Sequence, residues 1–95
     1  MRISIEEQAE LYDRFATAAV ADVVTRLLSR SDALVQLGRA RGFSLGVDEY
    51  GDSSWWLLDT ELDGELDAEL ADAIFYAIIR LARAAGALRP DSNHA

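Results

Sequence analysis

This sequence predicts an all-α fold: two long helices and one short one, completed into a helical bundle by dimerisation. Three observations predict it. The stretch from Ile5 to Arg30 holds no Gly or Pro, and the stretch 59–85 interrupts itself only at Gly64. In both, apolar residues recur at steps of three and four, the period of one helix face. Finally, Ala73 to Ile79 is apolar nearly all round, more than one neighbouring helix can cover, and a second copy of the long pair supplies the missing surface.

The first helix starts after Ser4. Ser4 and Glu7 have the spacing of a capping box, in which each side chain satisfies the other residue's free backbone N–H. Ile5, Ala9, Tyr12, Ala16, Ala19, Val23 and Leu27 give its apolar stripe. Over roughly 25 residues at ~1.5 Å each it spans about 38 Å. Glu6, Glu7, Glu10 and Asp13 near its start, and Arg26 and Arg30 at its end, suit the helix dipole. Ser31 and Asp32 are placed to cap a short second helix from Ala33 to Arg41, which Gly42 should stop. Gly42, Gly46 and Gly51 then punctuate the chain, and Phe43, Leu45 and Val47 alternate with polar or small residues, so a short extended segment is expected within 43–58. Trp55-Trp56-Leu57-Leu58 follows, either a plug over the core or an interface patch. The third helix runs from Asp59 or Thr60 to Ala85, with Gly86 as its C-terminal cap. Leu62, Leu66, Leu70, Ala73, Ala77, Leu81 and Leu88 form its stripe.

Length and composition exclude several classes. At 95 residues and 10.4 kDa the chain makes one helical domain over 1–88 with a loosely held polar tail over 89–95. It has no Cys, so disulfides and thiolate metal sites are ruled out, and its one His, His94, lies in the tail, away from any core chemistry. All nine basic residues are Arg against seventeen acids, a net charge of −8. That charge argues against nucleic-acid binding through phosphates, despite the Arg-bearing segment Ala18–Arg41 with its helix-turn-helix outline. No apolar run is long enough for a bilayer, and Met1–Glu10 lacks the apolar stretch of a secretion signal. A cytoplasmic protein is the expectation.

The acids hold the one chemical signal. Glu61, Glu65, Glu69, Asp72 and Tyr76 fall four, four, three and four apart, hence on one helix face, where like charges repel. Asp72 is the lone acid within Leu70–Ile79, and a buried carboxylate needs an Arg, a hydroxyl or a metal. Mg²⁺ takes carboxylates and water and would relieve both the repulsion and the burial. Glu7 and Glu10, one turn apart on the first helix, are a second acidic pair that also serves its dipole. Asp22, isolated within Ala18–Val24, reads as a paired core acid.

Glu69-Leu70-Ala71-Asp72, followed by Ala73-Ile74-Phe75-Tyr76-Ala77-Ile78-Ile79-Arg80-Leu81-Ala82, resembles the last motif helix of the MazG-like all-α NTP pyrophosphohydrolases, over about 14 residues. That family pairs an ExxE helix with an ExxD helix. The resemblance implies Mg²⁺ or Mn²⁺ held by Glu7, Glu10, Glu69 and Asp72, with the bound metal activating water against a nucleoside triphosphate. Arg14 and Arg80, with Arg83, would hold phosphate in place of the family's Lys. The chain departs from the family in the 58 residues between Glu10 and Glu69, longer than the usual gap. If the long helices run antiparallel within one chain, Glu10 faces the Arg80–Arg83 end instead; with an up-down-up connection through the short helix, or across a dimer, Glu10 meets Glu65 or Glu69. The competing expectation is a small acidic helical interaction or inhibitor protein without catalysis, docking through its acidic face or through Trp55 and Trp56, with Phe75 and Ile79 at the homodimer interface.

Overall fold

The computed structural model describes residues 3–46 and 53–88, and these are helical nearly throughout, with no strand among them. Helix α1 spans Ile5–Ser29, α2 spans Ser31–Arg39, and α3 spans Asp59–Ala84. A π-helical stretch, Ala40–Gly46, continues α2, and one 3₁₀ turn, Ser53–Trp56, precedes α3.

Each long helix begins and ends for a local reason. At the start of α1 the Glu7 N–H donates to Ser4 Oγ at 3.1 Å, and the Ser4 hydroxyl lies 3.4 Å from Glu7 Oε1. At the start of α3 the reciprocal half of the same motif is formed, the Leu58 N–H donating to Glu61 Oε1 at 3.2 Å. Leu58 has no polar side chain to cap with, so Glu61, three residues on, does the capping. Helix α3 ends in a Schellman motif: the Ala87 N–H donates to the Ala82 carbonyl at 2.9 Å and the Gly86 N–H to Arg83 at 3.0 Å. Gly86 takes φ +74°, which a residue without Cβ adopts freely. Between α1 and α2 the bonds Arg30 N–H to Arg26 and Leu34 N–H to Arg30 carry the backbone through a bend at Arg30. No side-chain cap forms there, so the expected capping by Ser31 and Asp32 is not what starts α2.

The extended segment expected within 43–58 is not seen where the chain is described. Phe43 to Gly46 are wound into the π-helical stretch and Ser53 to Trp56 into the 3₁₀ turn, while 47–52 lie outside the described residues. A lone strand leaves its backbone groups unpaired, whereas a helical winding satisfies them locally. Gly42 accordingly does not end the short helix. The Arg39 guanidinium lies 5.4 Å from the Phe43 ring centroid and bridges the change of winding. The tail expectation, 89–95 with His94, falls outside the described residues.

The chain divides into two compact units, Met1–Val24 with Leu70–Ala95, and Thr25–Glu69. In the first, α1 and α3 pack together. Ala19, Ala77 and Ile78 are buried, with Phe15, Ala16, Val23, Ile74 and Leu81 packed around them, and Ala82 is buried nearby. The helices run antiparallel: Gln8 and Leu11, near the start of α1, line one cavity with Ala82, Arg83 and Leu88 at the end of α3. The inner positions of α1 are Leu11, Phe15, Ala16, Ala19 and Val23. Ala16, Ala19 and Val23 belong to the expected stripe, whereas Ile5, at 81%, and Ala9, Tyr12 and Leu27 of that stripe are exposed, and Leu11 and Phe15 face inward in addition. On α3 the inner positions are Ile74, Ala77, Ile78, Leu81 and Ala82. Leu62, Leu66 and Leu70 of the expected stripe are exposed, though Ala73, Ala77, Leu81 and Leu88 are buried or half-buried. In the second unit none of residues 25–43 and 53–69 is buried.

Candidate functional site

The acids come first, because they carry the chemical signal in the sequence. Glu7 and Glu10 lie on the first turns of α1, exposed, at the end of the pair where Leu11 meets Ala82. Asp72 precedes Ala82 by ten residues on α3, which is roughly 15 Å along the helix. In the first unit the antiparallel packing therefore sets Glu7 and Glu10 toward the Arg83 end and Asp72 toward the Val23 end. Glu69 is one turn before Asp72 on α3 and is exposed, like Glu61 and Glu65. Among the described residues no group of three or more metal-ligating side chains comes together.

Asp72 is exposed, which corrects the expectation that its apolar neighbours bury it. It sits on the outward side of α3 while Ile74 and Ile78 turn inward, so water solvates it and no buried partner is required. Asp22, expected as a paired core acid, is half-buried and forms no ion pair with a described residue. No ion pair joins any two described residues, so the Arg residues do not neutralise the acidic face within the chain. Arg14 and Arg80 are both exposed, and the Arg14 guanidinium lies over its neighbour Phe15, 5.1 Å from the ring centroid.

The apolar surface is the stronger feature. The expected burial of Ala73–Ile79 is half met: Ala77 and Ile78 are buried and Ile79 is half-buried, but Phe75 is 49% exposed and Tyr76 68%. Tyr12 of α1 reaches Phe75 with ring centroids 6.2 Å apart, and Phe75 meets Tyr76 edge-on at 6.5 Å. Along α1 the positions Tyr12, Ala16, Val20 and Val24 follow at steps of four, and Tyr12, Val20 and Val24 are each 40–50% exposed. The Tyr12–Phe75 contact joins this row to Phe75 and Ile79, four apart on α3. The result is one continuous apolar face across the helix pair of the first unit. Trp55 and Trp56, in the second unit, are 75% and 78% exposed, which corrects the core-plug alternative and leaves the surface-patch one.

Beside the aromatic cluster is a cavity of about 300 Å³, lined by Ile3, Gln8, Leu11, Tyr12, Phe75, Ile78, Ile79, Ala82, Arg83 and Leu88. Gln8 Nε2 donates to the Ile3 carbonyl at 3.1 Å and ties Ile3, which lines the cavity, to α1. Ile3 and Leu11 were not singled out in the sequence. Leu11 fits the row Leu11, Phe15, Ala19, Val23, a spacing of four that was legible, whereas Ile3 precedes the helix and has no periodicity to betray it.

Among the described residues no helix is long and apolar enough to cross a membrane. No protein-family model, curated protein or solved structure matches the chain.

Proposed function

We propose that this chain is a non-catalytic helical interaction protein that works by docking the apolar face of α1 and α3 onto the helices of a partner, in the cytoplasm. The observation that carries the reading is the Tyr12–Phe75–Tyr76 cluster. These rings stand 40–68% exposed on a helix pair whose own buried residues are Ala19, Ala77, Ile78 and Ala82. Aromatic side chains supply much of the binding energy of protein interfaces, and a contiguous apolar face of this kind marks a docking site more often than free surface. Candidate partners are a second copy of the chain or a separate helical protein. Trp55 and Trp56 offer a further exposed aromatic patch, on the second unit.

The test is hydroxyl-radical footprinting of Phe75 and Tyr76 in cells that express the protein, set against the purified chain at high dilution. Docking predicts several-fold slower oxidation of both rings in the cell. Equal oxidation in both settings would refute the reading.

One observation favours a second reading. Glu61, Glu65, Glu69 and Asp72 share one exposed face of α3, and no described Arg pairs with them. A Mg²⁺- or Mn²⁺-dependent nucleoside triphosphate pyrophosphohydrolase of the MazG-like kind would use Glu69 and Asp72 from that face, with Glu7 and Glu10 from another copy and Arg14 and Arg80 for phosphate. On that reading millimolar Mg²⁺ or Mn²⁺ raises the melting temperature, because metal bound only to the folded state stabilises it. An indifferent melting temperature removes it.

A further inference from the structure

We infer that the partner on the apolar face is a second copy of this chain, related to the first by a two-fold axis running along the helices. The inference rests on the interaction reading and names its occupant.

The face is divided by side-chain size. At its middle α1 presents the slim Val20 beside the half-buried Ala16, whose other side packs on the core, and α3 presents Phe75 beside the half-buried Ile79. A two-fold axis parallel to the helices lays the α3 of each copy over the α1 of the other. Large side chains then meet small ones twice, once on each side of the axis, as a self-complementary interface requires. An axis perpendicular to the helices instead stacks α1 on α1 and α3 on α3, which sets Phe75 against Phe75 and leaves a gap between the alanines.

Charge favours the same arrangement. Either axis makes every neighbouring pair of helices antiparallel, because α1 and α3 are antiparallel within the first unit. The parallel axis brings the acidic first turns of α1, Glu6, Glu7 and Glu10, alongside the partner's Arg80 and Arg83. In the single chain neither of these Arg residues has an ion pair. The apolar area reaches about four fifths of what a homodimer of standard size buries. Tyr12, Phe75 and Tyr76, at their exposures of 40, 49 and 68%, leave about 300 Å² uncovered if each ring carries ~200 Å². Val20 and Val24, about half exposed, bring the apolar share to roughly 400 Å² per copy. A standard interface buries ~800 Å² per partner, about 65% of it apolar in homodimers, which asks for about 500 Å².

The experiment uses the full chain, which contains no Cys to give a background. Sedimentation at micromolar concentration should return twice the 10.4 kDa chain mass. Val20→Glu should return the single-chain mass while the helical circular dichroism is kept, since Val20 lies outside the buried set. An equimolar mixture of Val20→Cys and Phe75→Cys should form the mixed disulfide under mild oxidation. Val20→Cys by itself should not cross-link, because diagonal helices hold the two positions beyond the ~7 Å Cα separation a disulfide spans. A single-chain mass at every concentration overturns the inference, and so does efficient cross-linking of Val20→Cys with itself. If the purified chain is monomeric but Phe75 and Tyr76 are protected in cells, the second copy is refuted and the interaction reading stands. If the rings are exposed in both settings, both fall.

Discussion

Replacing Ile78 by Ala tests whether the packing of α1 on α3 is the core of this protein. Ile78 is 4% exposed, and the other buried residues, Ala19, Ala77 and Ala82, are all alanines. Ile78 is thus the one large buried side chain among the described residues, and the alanines around it have no atoms to move into the space it would vacate. Ile→Ala in a core costs about 2–5 kcal/mol, the spread reflecting how far the site collapses. Phe15, Ile74 and Leu81 border the site and are only partly buried, so they can lean in, which puts the expected loss near 3 kcal/mol. A domain of this length has a total stability of about 5–14 kcal/mol, so the loss is a large fraction of it. Urea denaturation followed by circular dichroism reads it as a midpoint lowered by about 2 M, for a slope of ~1.5 kcal/mol/M. All variants must be compared at one protein concentration, since association would add to the apparent stability. Ile5→Ala is the control: Ile5 is 81% exposed and its truncation should change stability by less than about 0.5 kcal/mol. If Ile78→Ala costs under about 1 kcal/mol, or no more than Ile5→Ala, the α1–α3 contact does not hold the fold together and the reasoning fails.

Three further outcomes follow from the helix ends and glycines. Gly64, inside α3, has nothing within 4 Å of the position its Cβ would take, so Gly64→Ala should stabilise the protein by about 1 kcal/mol, read as a raised urea midpoint. Gly86 has the same open surroundings but a φ of +74°, so Gly86→Ala should destabilise by roughly 1 kcal/mol, the cost of a left-handed residue with a Cβ. Ser4→Ala removes the acceptor of the Glu7 N–H and should cost about 1 kcal/mol, with faster amide exchange confined to the first turn of α1.

Much of this fold is legible in the sequence, and the reason differs by element. The long helices are legible because their ends carry local chemistry: Ser4 with Glu7, and Gly86 after Ala85, act within one turn of the residues they cap. The choice of buried face is less so. The expected α1 stripe and the row Leu11, Phe15, Ala19 and Val23 are both apolar and periodic; they share Ala19 and Val23 and part company toward the start of the helix. Only the position of α3 selects between them. The segment around Phe43 departs from its alternating pattern for a related reason. Alternation describes a strand only where a second strand is present, and Phe43 here pairs with Arg39 across a helical turn instead. Asp72 shows the limit of arguing burial from neighbours. Six apolar residues in the seven that follow it do not bury a residue whose own side of the helix faces water.

The charge pattern links the fold to the proposed assembly. Three acids of the first two turns of α1, Glu6, Glu7 and Glu10, belong to the end of the antiparallel pair where α3 carries Arg80 and Arg83. Opposite charges are thus brought to one end without closing a single ion pair among the described residues. At such separations, and in water, an interaction of this sort is worth a few tenths of a kcal/mol and weakens with salt. It orients the helices without fixing them. The unclosed Arg residues have a consequence for association: they keep their donors available to a neighbouring copy, whereas an Arg already paired inside the chain would have to break one contact to make another. The apolar face supplies the affinity of such an interface, and the separated charges supply its direction, since the axis along the helices sets the acidic start of each α1 beside the partner's Arg80 and Arg83.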